Sequence, residues 1–202
     1  MKNLDQLINF FIEIESFKKT FRYSTCPENV ADSSAEHSWK VAFMALILGE
    51  KIRDVDIYHA IQICLVHDLA ESITGDVDSY RIILGEVTKE QKHQMEEEAM
   101  LNFKNKIPNA GDKIYKLWEE YDKHETEEAK YARALDKIEA LIHLLSVDYI
   151  AKEDNAAAEL VAKYADNAVK EFPQLKPMLD NIKTRQKKEF EKQGFEWKKH
   201  YN

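Results

Sequence analysis

Apolar residues recur at intervals of three and four along most of the chain, a spacing that predicts α-helices and not strands. The clearest stripes run from Leu4 to Phe17 and through Leu135, Ile138 and Ile142. The predicted helices cover approximately residues 4–17, 35–50, 54 or 56 to 74, 88–106, 113–122, 125–151, 156–164 and 176–192. The Lys-rich C-terminal stretch, residues 183–202, is expected to fray.

Helix-breaking residues are scarce and fall between these segments. Only 5 glycines and 4 prolines occur in 202 residues, too few for a fold with many tight turns. Gly75 is predicted to end the third helix, whereas Pro108 and Gly111 place a loop between the fourth and fifth helices. Without an internal repeat or a linker, the pattern predicts an all-α, single-domain bundle of helices.

Charge and hydropathy exclude some classes of protein. The formal net charge of −8 leaves no basic excess for binding nucleic acid. No stretch approaches the roughly 18 apolar residues that would span a bilayer, and the N-terminal helix carries acidic residues unlike a signal peptide. A cytoplasmic location, with neither a nucleic-acid nor a membrane partner, is therefore expected.

The segment IQICLVHDLA, residues 61–70, is apolar on nearly every helical face but ends in His67 and Asp68. Glu71 follows within one turn, so that the three side chains can lean over the same point. Burying an unpaired carboxylate is costly. The partner of Asp68 is therefore a distant base, water at the helix end or a metal ion.

Two further polar residues interrupt apolar helices, His37 in AEHSWKVAFMALIL and Asp136 in ARALDKIEALIHLL. Two histidines and two carboxylates from three helices would leave two positions open on an octahedral ion, as metal catalysis requires. Nitrogen and oxygen ligands of this kind favour Mn²⁺, Fe²⁺, Co²⁺, Ni²⁺ or Zn²⁺ over Ca²⁺. A simpler interpretation is also open, in which His37 is a hydrogen-bonded helix residue and Asp136 pairs with Arg133 or Lys137 at the surface.

The segments AEHSWKVA, CLVHDLAESITGD and ALDKIEAL, in this order, resemble the His-Asp (HD) superfamily of metal-dependent phosphohydrolases. In finer detail they resemble the HD-domain 5'-deoxynucleotidases, with which the likeness extends over about residues 17–149. This resemblance implies an HD-type bundle over residues 1–202, with a metal-binding core at about 17–150 and C-terminal helices at 151–202. It also implies a homodimer and one divalent ion per chain, drawn from Mn, Co, Fe, Ni, Zn or Mg.

The resemblance assigns roles to individual residues. The metal ligands would be His37, His67, Asp68 and Asp136. Glu71 would correspond to the catalytic carboxylate and Asp76, in TGD, to an acid that orients the attacking water. Arg22 and Tyr23 would contact the substrate, at a position where these nucleotidases favour an arginine followed by tryptophan.

The function implied is hydrolysis of ribo- or deoxyribonucleoside 5'-monophosphates, with three alternatives left open. A phosphodiesterase or a nucleoside polyphosphate hydrolase of the same superfamily would use the same metal site. Many of these diesterases have additional histidines between the His-Asp pair and the last aspartate, an interval that contains only His93 and His124 in this chain. A non-catalytic, metal-binding interaction module would not require Glu71 or Asp76. The apolar segment with Tyr80 and residues 82–84 would form either an interface or a lid.

Overall fold

The structure, a computed structural model, describes residues 4–24, 26–107, 109–149 and 155–202. Across these ranges the chain is helical, and its only β-type pairing is a single bridge between Phe21 and Ser33. The all-α prediction is therefore confirmed. None of the helices in these ranges combines the length and apolarity needed to cross a membrane.

The helices follow the sequence pattern closely, with short 3₁₀ turns between several of them. They are α1 (Leu4–Glu13), α2 (Ser34–Leu48), α3 (Ile57–Val66), α4 (Glu71–Thr74), α5 (Ser79–Ile83), α6 (Lys89–Lys106), α7 (Ala110–Lys123), α8 (Glu127–Ser146), α9 (Asn155–Lys163), α10 (Asp166–Val169) and α11 (Lys176–Lys192). The long helix predicted at 125–151 ends earlier, at Ser146, and its predicted end at Ala151 lies outside the described residues.

Three helices, α2, α3 and α8, pack against one another and form the main core. A capping box fixes the start of α2: the Ser33 hydroxyl accepts from the Glu36 backbone N–H at 3.2 Å, and the Glu36 carboxylate accepts from the Ser33 N–H at 2.8 Å. Ala45, Ile63 and Leu135 are fully buried between the three helices. Each of these helices, or the turn that follows it, carries one part of the predicted metal site.

The hairpin of α6 and α7 forms a second core with the N-terminal segment, in which Phe103 and Trp118 are buried. The prediction that Gly111 lies in a loop was wrong, because α7 already begins at Ala110. Gly111 is needed here for close packing: a Cβ atom at this position would lie 2.5 Å from the Lys104 carbonyl oxygen. Pro108, the other predicted breaker, lies outside the described residues.

A Cβ atom at position 111 would clash with backbone atoms of Lys104, which cannot move aside as a side chain can. Gly111→Ala is therefore expected to lower the free energy of unfolding by about 1–3 kcal/mol. Gly49→Ala provides a matched comparison, since its Cβ would meet only the Ile57 side chain, at 2.7 Å, which can move aside. Urea unfolding should show a clearly smaller loss for Gly49→Ala. Equal losses would mean that α6 shifts to accommodate the methyl group.

The C-terminal segment packs against the bundle, so the prediction that it frays was wrong. Lys183 is buried and donates to Asp166 Oδ1 at 2.7 Å and to the Tyr201 carbonyl at 2.5 Å. Tyr201 is itself buried against Phe190 and Trp197. The lysine-rich composition was misleading because residues at helical intervals of three and four on α11, among them Leu179, Ile182, Gln186 and Phe190, form a buried face.

Candidate metal centre

The His-Asp pair lies in a tight turn immediately after α3. The sequence predicted one continuous helix through this region, but α3 ends at Val66. In the residues that follow, backbone N–H groups donate to the carbonyl three positions earlier. Leu69 N–H donates to Val66 O at 3.0 Å, and Glu71 N–H donates to Asp68 O at 2.9 Å. On an uninterrupted helix, neighbouring side chains diverge by about 100°. In the turn, His67 Nε2 and Asp68 Oδ2 lie 3.1 Å apart.

The structure brings the four predicted ligands together. His37, His67 and Asp136 are buried, and each offers one ligand atom within 4.8 Å of the others. His37 Nε2 lies 3.2 Å from Asp136 Oδ1 and 3.3 Å from His67 Nε2. Asp68 Oδ2 lies 3.6 Å from His37 Nε2, and its side chain retains 21% exposure. Two nitrogen and two oxygen ligands therefore converge from three helical segments.

The outer nitrogens of both imidazoles are held by acceptors. His67 Nδ1 donates to the Cys64 carbonyl at 2.8 Å, and His37 Nδ1 contacts the buried carboxylate of Glu139. With a proton on each Nδ1, both Nε2 lone pairs point into the cluster, the tautomer that metal binding requires. These contacts orient the ligands before any ion arrives.

Glu139 is a supporting residue that the sequence analysis missed. Its carboxylate also accepts from Lys40 Nζ at 2.9 Å and lies 3.4 Å from Arg22 Nη1. Burial would raise the pKa of Glu139, but the His37 hydrogen bond and the charges of His37, Arg22 and Lys40 outweigh burial and lower the pKa to about 2. The available signal was its position in ALDKIEAL, three residues after Asp136 and therefore on nearly the same helix face.

The two carboxylate oxygens of Asp136 have different partners. Oδ2 accepts from the Tyr121 hydroxyl at 2.6 Å and from Lys137 Nζ at 3.0 Å. Oδ1 faces His37 inside the cluster. The alternative in which Asp136 pairs with Lys137 at the surface was therefore half right. The pair forms, but Asp136 is buried and its other oxygen is directed at the cluster.

The electrostatics of the cluster fit a cation. Burial would lower the pKa of His67, but the charges of Asp68 and Asp136 and the hydrogen bonds of the imidazole reverse that effect and raise the pKa to about 9. The two imidazole Nε2 atoms lie 3.3 Å apart, close enough for one ion to bind both. An ion of the Mn²⁺ to Zn²⁺ series would satisfy both nitrogens and both carboxylates.

Glu139→Gln is expected to weaken binding of a divalent ion by about 10- to 100-fold, because a neutral amide holds the His37 imidazole less firmly. Titration calorimetry with Mn²⁺ measures this directly on the metal-free protein. Glu98→Gln, an exposed residue on α6, is the matched control and should bind like the wild type. Unchanged affinity in Glu139→Gln would show that His37 does not depend on Glu139.

A cavity of about 330 Å³ opens beside His67, Asp68 and Asp136. Glu71 lines it as a buried side chain, with Oε2 accepting from Ser34 Oγ at 2.7 Å and Oε1 lying 3.4 Å from Lys92 Nζ. Burial, followed by the charge of Asp68, raises the pKa of Glu71 well above its usual 4.5. The raised pKa favours the protonated carboxyl group, which is the form that a proton donor needs.

Asp76 lines the same cavity, directly after Gly75, whose φ of 73° turns the chain at the end of α4. Burial raises the pKa of Asp76 to about 6, and the charges of Lys92 and Arg22 oppose this rise. Asp76 does not cap the next helix, because α5 is capped by Asp78, whose Oδ1 accepts from the Tyr80 N–H at 2.9 Å.

Lys92 on α6 is another residue that the sequence analysis missed. Its ammonium group lies 3.1 Å from Glu96 Oε1, and both side chains line the cavity. Glu96 retains only 14% side-chain exposure. A lysine and a glutamate four residues apart are equally common on exposed helices, so the sequence held no signal for this pair.

Arg22 and Tyr23, the two residues predicted to contact the substrate, both line the cavity. The Arg22 guanidinium is already engaged, with Nη1 at 3.3 Å from Asp32 Oδ2 and 3.4 Å from Glu139 Oε2. The Tyr23 ring stacks on His143, with centroids 5.3 Å apart. His143, to which no role was assigned, donates to the Val30 carbonyl at 2.6 Å and so supports Tyr23 from beneath.

A protein-family model described as "HD domain" matches residues 14–176, about four-fifths of the chain. The chain belongs to the HD-domain family. The resemblance predicted from the sequence motifs is thereby confirmed, and the HD-domain match includes α9 and α10 as well as the helices that carry the cluster.

Several HD-domain relatives are named 5'-deoxynucleotidases. The 5'-deoxynucleotidase HDDC2 of Xenopus laevis is 31% identical over 155 residues, which cover 75% of this chain and 72% of the relative. The human protein of the same name is 31% identical over 139 residues, 67% of this chain and 65% of its own length. The 5'-deoxynucleotidase YGK1 of Saccharomyces cerevisiae is 29% identical over 154 residues, 71% of this chain and 69% of the relative.

Solved structures share the HD-domain fold. A predicted metal-dependent phosphohydrolase from Magnetospirillum magnetotacticum aligns with a TM-score of 0.69 at 24% identity, covering 91% of this chain and 94% of that one. A protein from Pyrococcus horikoshii aligns with a TM-score of 0.66 at 21% identity, covering 88% and 99% of the two chains. At these identities the likeness establishes the fold alone.

Proposed function

We propose that this HD-domain chain is a metal-dependent 5'-nucleotidase that hydrolyses deoxyribonucleoside 5'-monophosphates to nucleoside and phosphate. His37, His67, Asp68 and Asp136 would hold one divalent ion. The observation that carries the proposal is the position of this cluster at the wall of a cavity that also presents Glu71 and Asp76. The names of the relatives support the choice of substrate.

The residues around the cavity suit hydrolysis of a phosphomonoester. When bound, the ion lowers the pKa of water and neutralises charge on the phosphoryl group. Asp76 accepts a hydrogen bond from the attacking water and orients it towards phosphorus. As the bond from phosphorus to the sugar 5'-oxygen breaks, Glu71 gives its proton to that oxygen, so that the leaving group departs as an alcohol. Arg22 lies at the cavity wall as a donor to the non-bridging oxygens.

The contacts of the other histidines argue against a two-metal diesterase. His93 pairs with the Asp122 carboxylate at 3.2 Å, and His124 is the residue that ends α7 in a left-handed conformation. Among the described residues that line the cavity, His67 is the only histidine. The presence of Glu71 and Asp76 with shifted pKa values also favours an enzyme over a structural metal module.

The extent of the domain, the oligomeric state, the location and the identity of the ion remain predictions. We propose a single domain over residues 1–202, in which the metal-binding core at about 17–150 is completed by the C-terminal helices. The homodimer, the cytoplasmic location and the identity of the ion among Mn, Co, Fe, Ni, Zn and Mg also stay predictions.

The test is phosphate release by metal-stripped protein after separate addition of each divalent ion. The substrate panel pairs deoxyribo- and ribonucleoside 5'-monophosphates and includes a phosphodiester. Metal-restored release from the deoxyribonucleotides, faster than from the ribonucleotides, supports the proposal. Cleavage of the diester alone would transfer the assignment to a phosphodiesterase, and equal rates on both sugars would reject the preference for deoxyribose.

A further inference from the structure

The cavity extends away from the metal cluster along α8. Asp136, Ala140 and Leu144 all line it, and their spacing of four residues places them in one row on the helix. At a rise of 1.5 Å per residue, this row covers about 12 Å from the metal ligand to Leu144. The lining therefore continues well beyond the space that a phosphoryl group needs.

The character of the lining changes along this row. Near Asp136 it consists of carboxylates and cations, whereas the far part is formed by Leu144, Tyr149, Leu160 and Val161. Leu160 and Val161 belong to α9 and are half-buried, as is Tyr149. Apolar and aromatic walls of this kind bind flat, weakly hydrated groups by burial and stacking.

The wall formed by α9 is tied to the metal cluster. Tyr164, one turn after Leu160, receives a hydrogen bond from Lys137 Nζ at 2.9 Å, and Lys137 is in turn 3.0 Å from Asp136 Oδ2. The Tyr164 hydroxyl also lies 3.3 Å from Ser79 Oγ, at the start of α5. The apolar end is thus held at a fixed distance from the metal ligands.

We propose that the apolar end of this cavity is the nucleobase subsite, with Leu160 on α9 as a specificity-determining residue. The inference rests on the proposed function, which places the phosphate at the metal cluster. The sugar then occupies the middle of the cavity, and the base contacts Leu144, Leu160 and Val161. None of these three side chains can take part in the chemistry, so their contribution is to binding of the base alone.

A substrate without a base isolates this contribution. For the wild type, kcat/KM should be at least tenfold higher for deoxyadenosine 5'-monophosphate than for 2-deoxyribose 5-phosphate. Leu160→Asn should lower kcat/KM for the nucleotide by about tenfold. For the base-free sugar phosphate, its kcat/KM should change by less than twofold. Leu101→Asn, on α6 outside the cavity, is the matched control and should resemble the wild type with both substrates.

Binding of deoxyadenosine, measured by calorimetry, tests the subsite without turnover. The wild type should bind this nucleoside more tightly than Leu160→Asn does, while both proteins keep the same Tm. The proposal is overturned if the wild type hydrolyses the two phosphates equally well, if Leu160→Asn slows both equally, or if the nucleoside does not bind. Absence of turnover together with Leu160-dependent nucleoside binding would reject the proposed function and leave the base subsite standing.

Discussion

Asp68→Asn is expected to reduce phosphate release by at least about 10³-fold, since a catalytic ion contributes several kcal/mol to stabilising the transition state. The substitution removes a negative charge and replaces the carboxylate oxygen that lies 3.1 Å from His67 Nε2. Asp68 is the most exposed of the four proposed ligands, and without its charge His67 still donates from Nδ1 to the Cys64 carbonyl. The fold should therefore survive, and the loss of activity should report on the ion.

Thermal unfolding with and without the ion gives a readout independent of activity. For the wild type, an ion at 100 times its dissociation constant should add about 2.7 kcal/mol to the free energy of unfolding. The same concentration should add almost nothing to Asp68→Asn. Asp180→Asn, an exposed aspartate on α11, is the control and should gain stability like the wild type. An ion-stabilised but inactive Asp68→Asn would make Asp68 a catalytic group and not a ligand.

The proposed ligand set could be selected from the sequence because each member contradicts its own local sequence. A His-Asp pair at the end of an apolar helix, and single polar residues in two other apolar helices, stand out without knowledge of the fold. The residues that support the cluster carry no such contradiction. Glu139 contacts His37 across 102 positions of sequence, and that pairing arises only when α2 and α8 pack together.

Helix boundaries were predictable to within a few residues, except where tertiary packing overrides local preference. The turn after Val66 follows a helix with no proline or glycine to mark its end. At Gly111 the sequence predicted a loop where the chain is helical. Glycine usually breaks helices, but in α7 it allows α6 to approach closely. At Gly111 the deciding contact is with the Lys104 backbone on α6, which the local sequence of α7 does not reveal.

Glu71→Gln is expected to lower kcat for nucleotide substrates by about 10²- to 10⁴-fold while leaving stabilisation by the ion intact. The reason is that glutamine has no acidic proton to give to the departing 5'-oxygen, although it can still accept the hydrogen bond from Ser34 Oγ. An aryl phosphate with a nitrophenolate leaving group needs no such proton. The loss of kcat for p-nitrophenyl phosphate should therefore be much smaller than for the nucleotide.

The pH profile separates a proton donor from a positioning residue. Glu71 must be protonated to act, and burial raises its pKa well above 4.5, so activity should fall as the pH rises through that raised value. Asp76 must be ionised to act. Its pKa is about 6, and a bound cation would lower this pKa further. Activity should therefore fall on the acid side of the profile only at or below about pH 6. Glu71→Gln should therefore lose the basic limb and keep the acid limb. Equal losses on both leaving groups, with both limbs retained, would instead assign Glu71 to holding Ser34 and Lys92 in place.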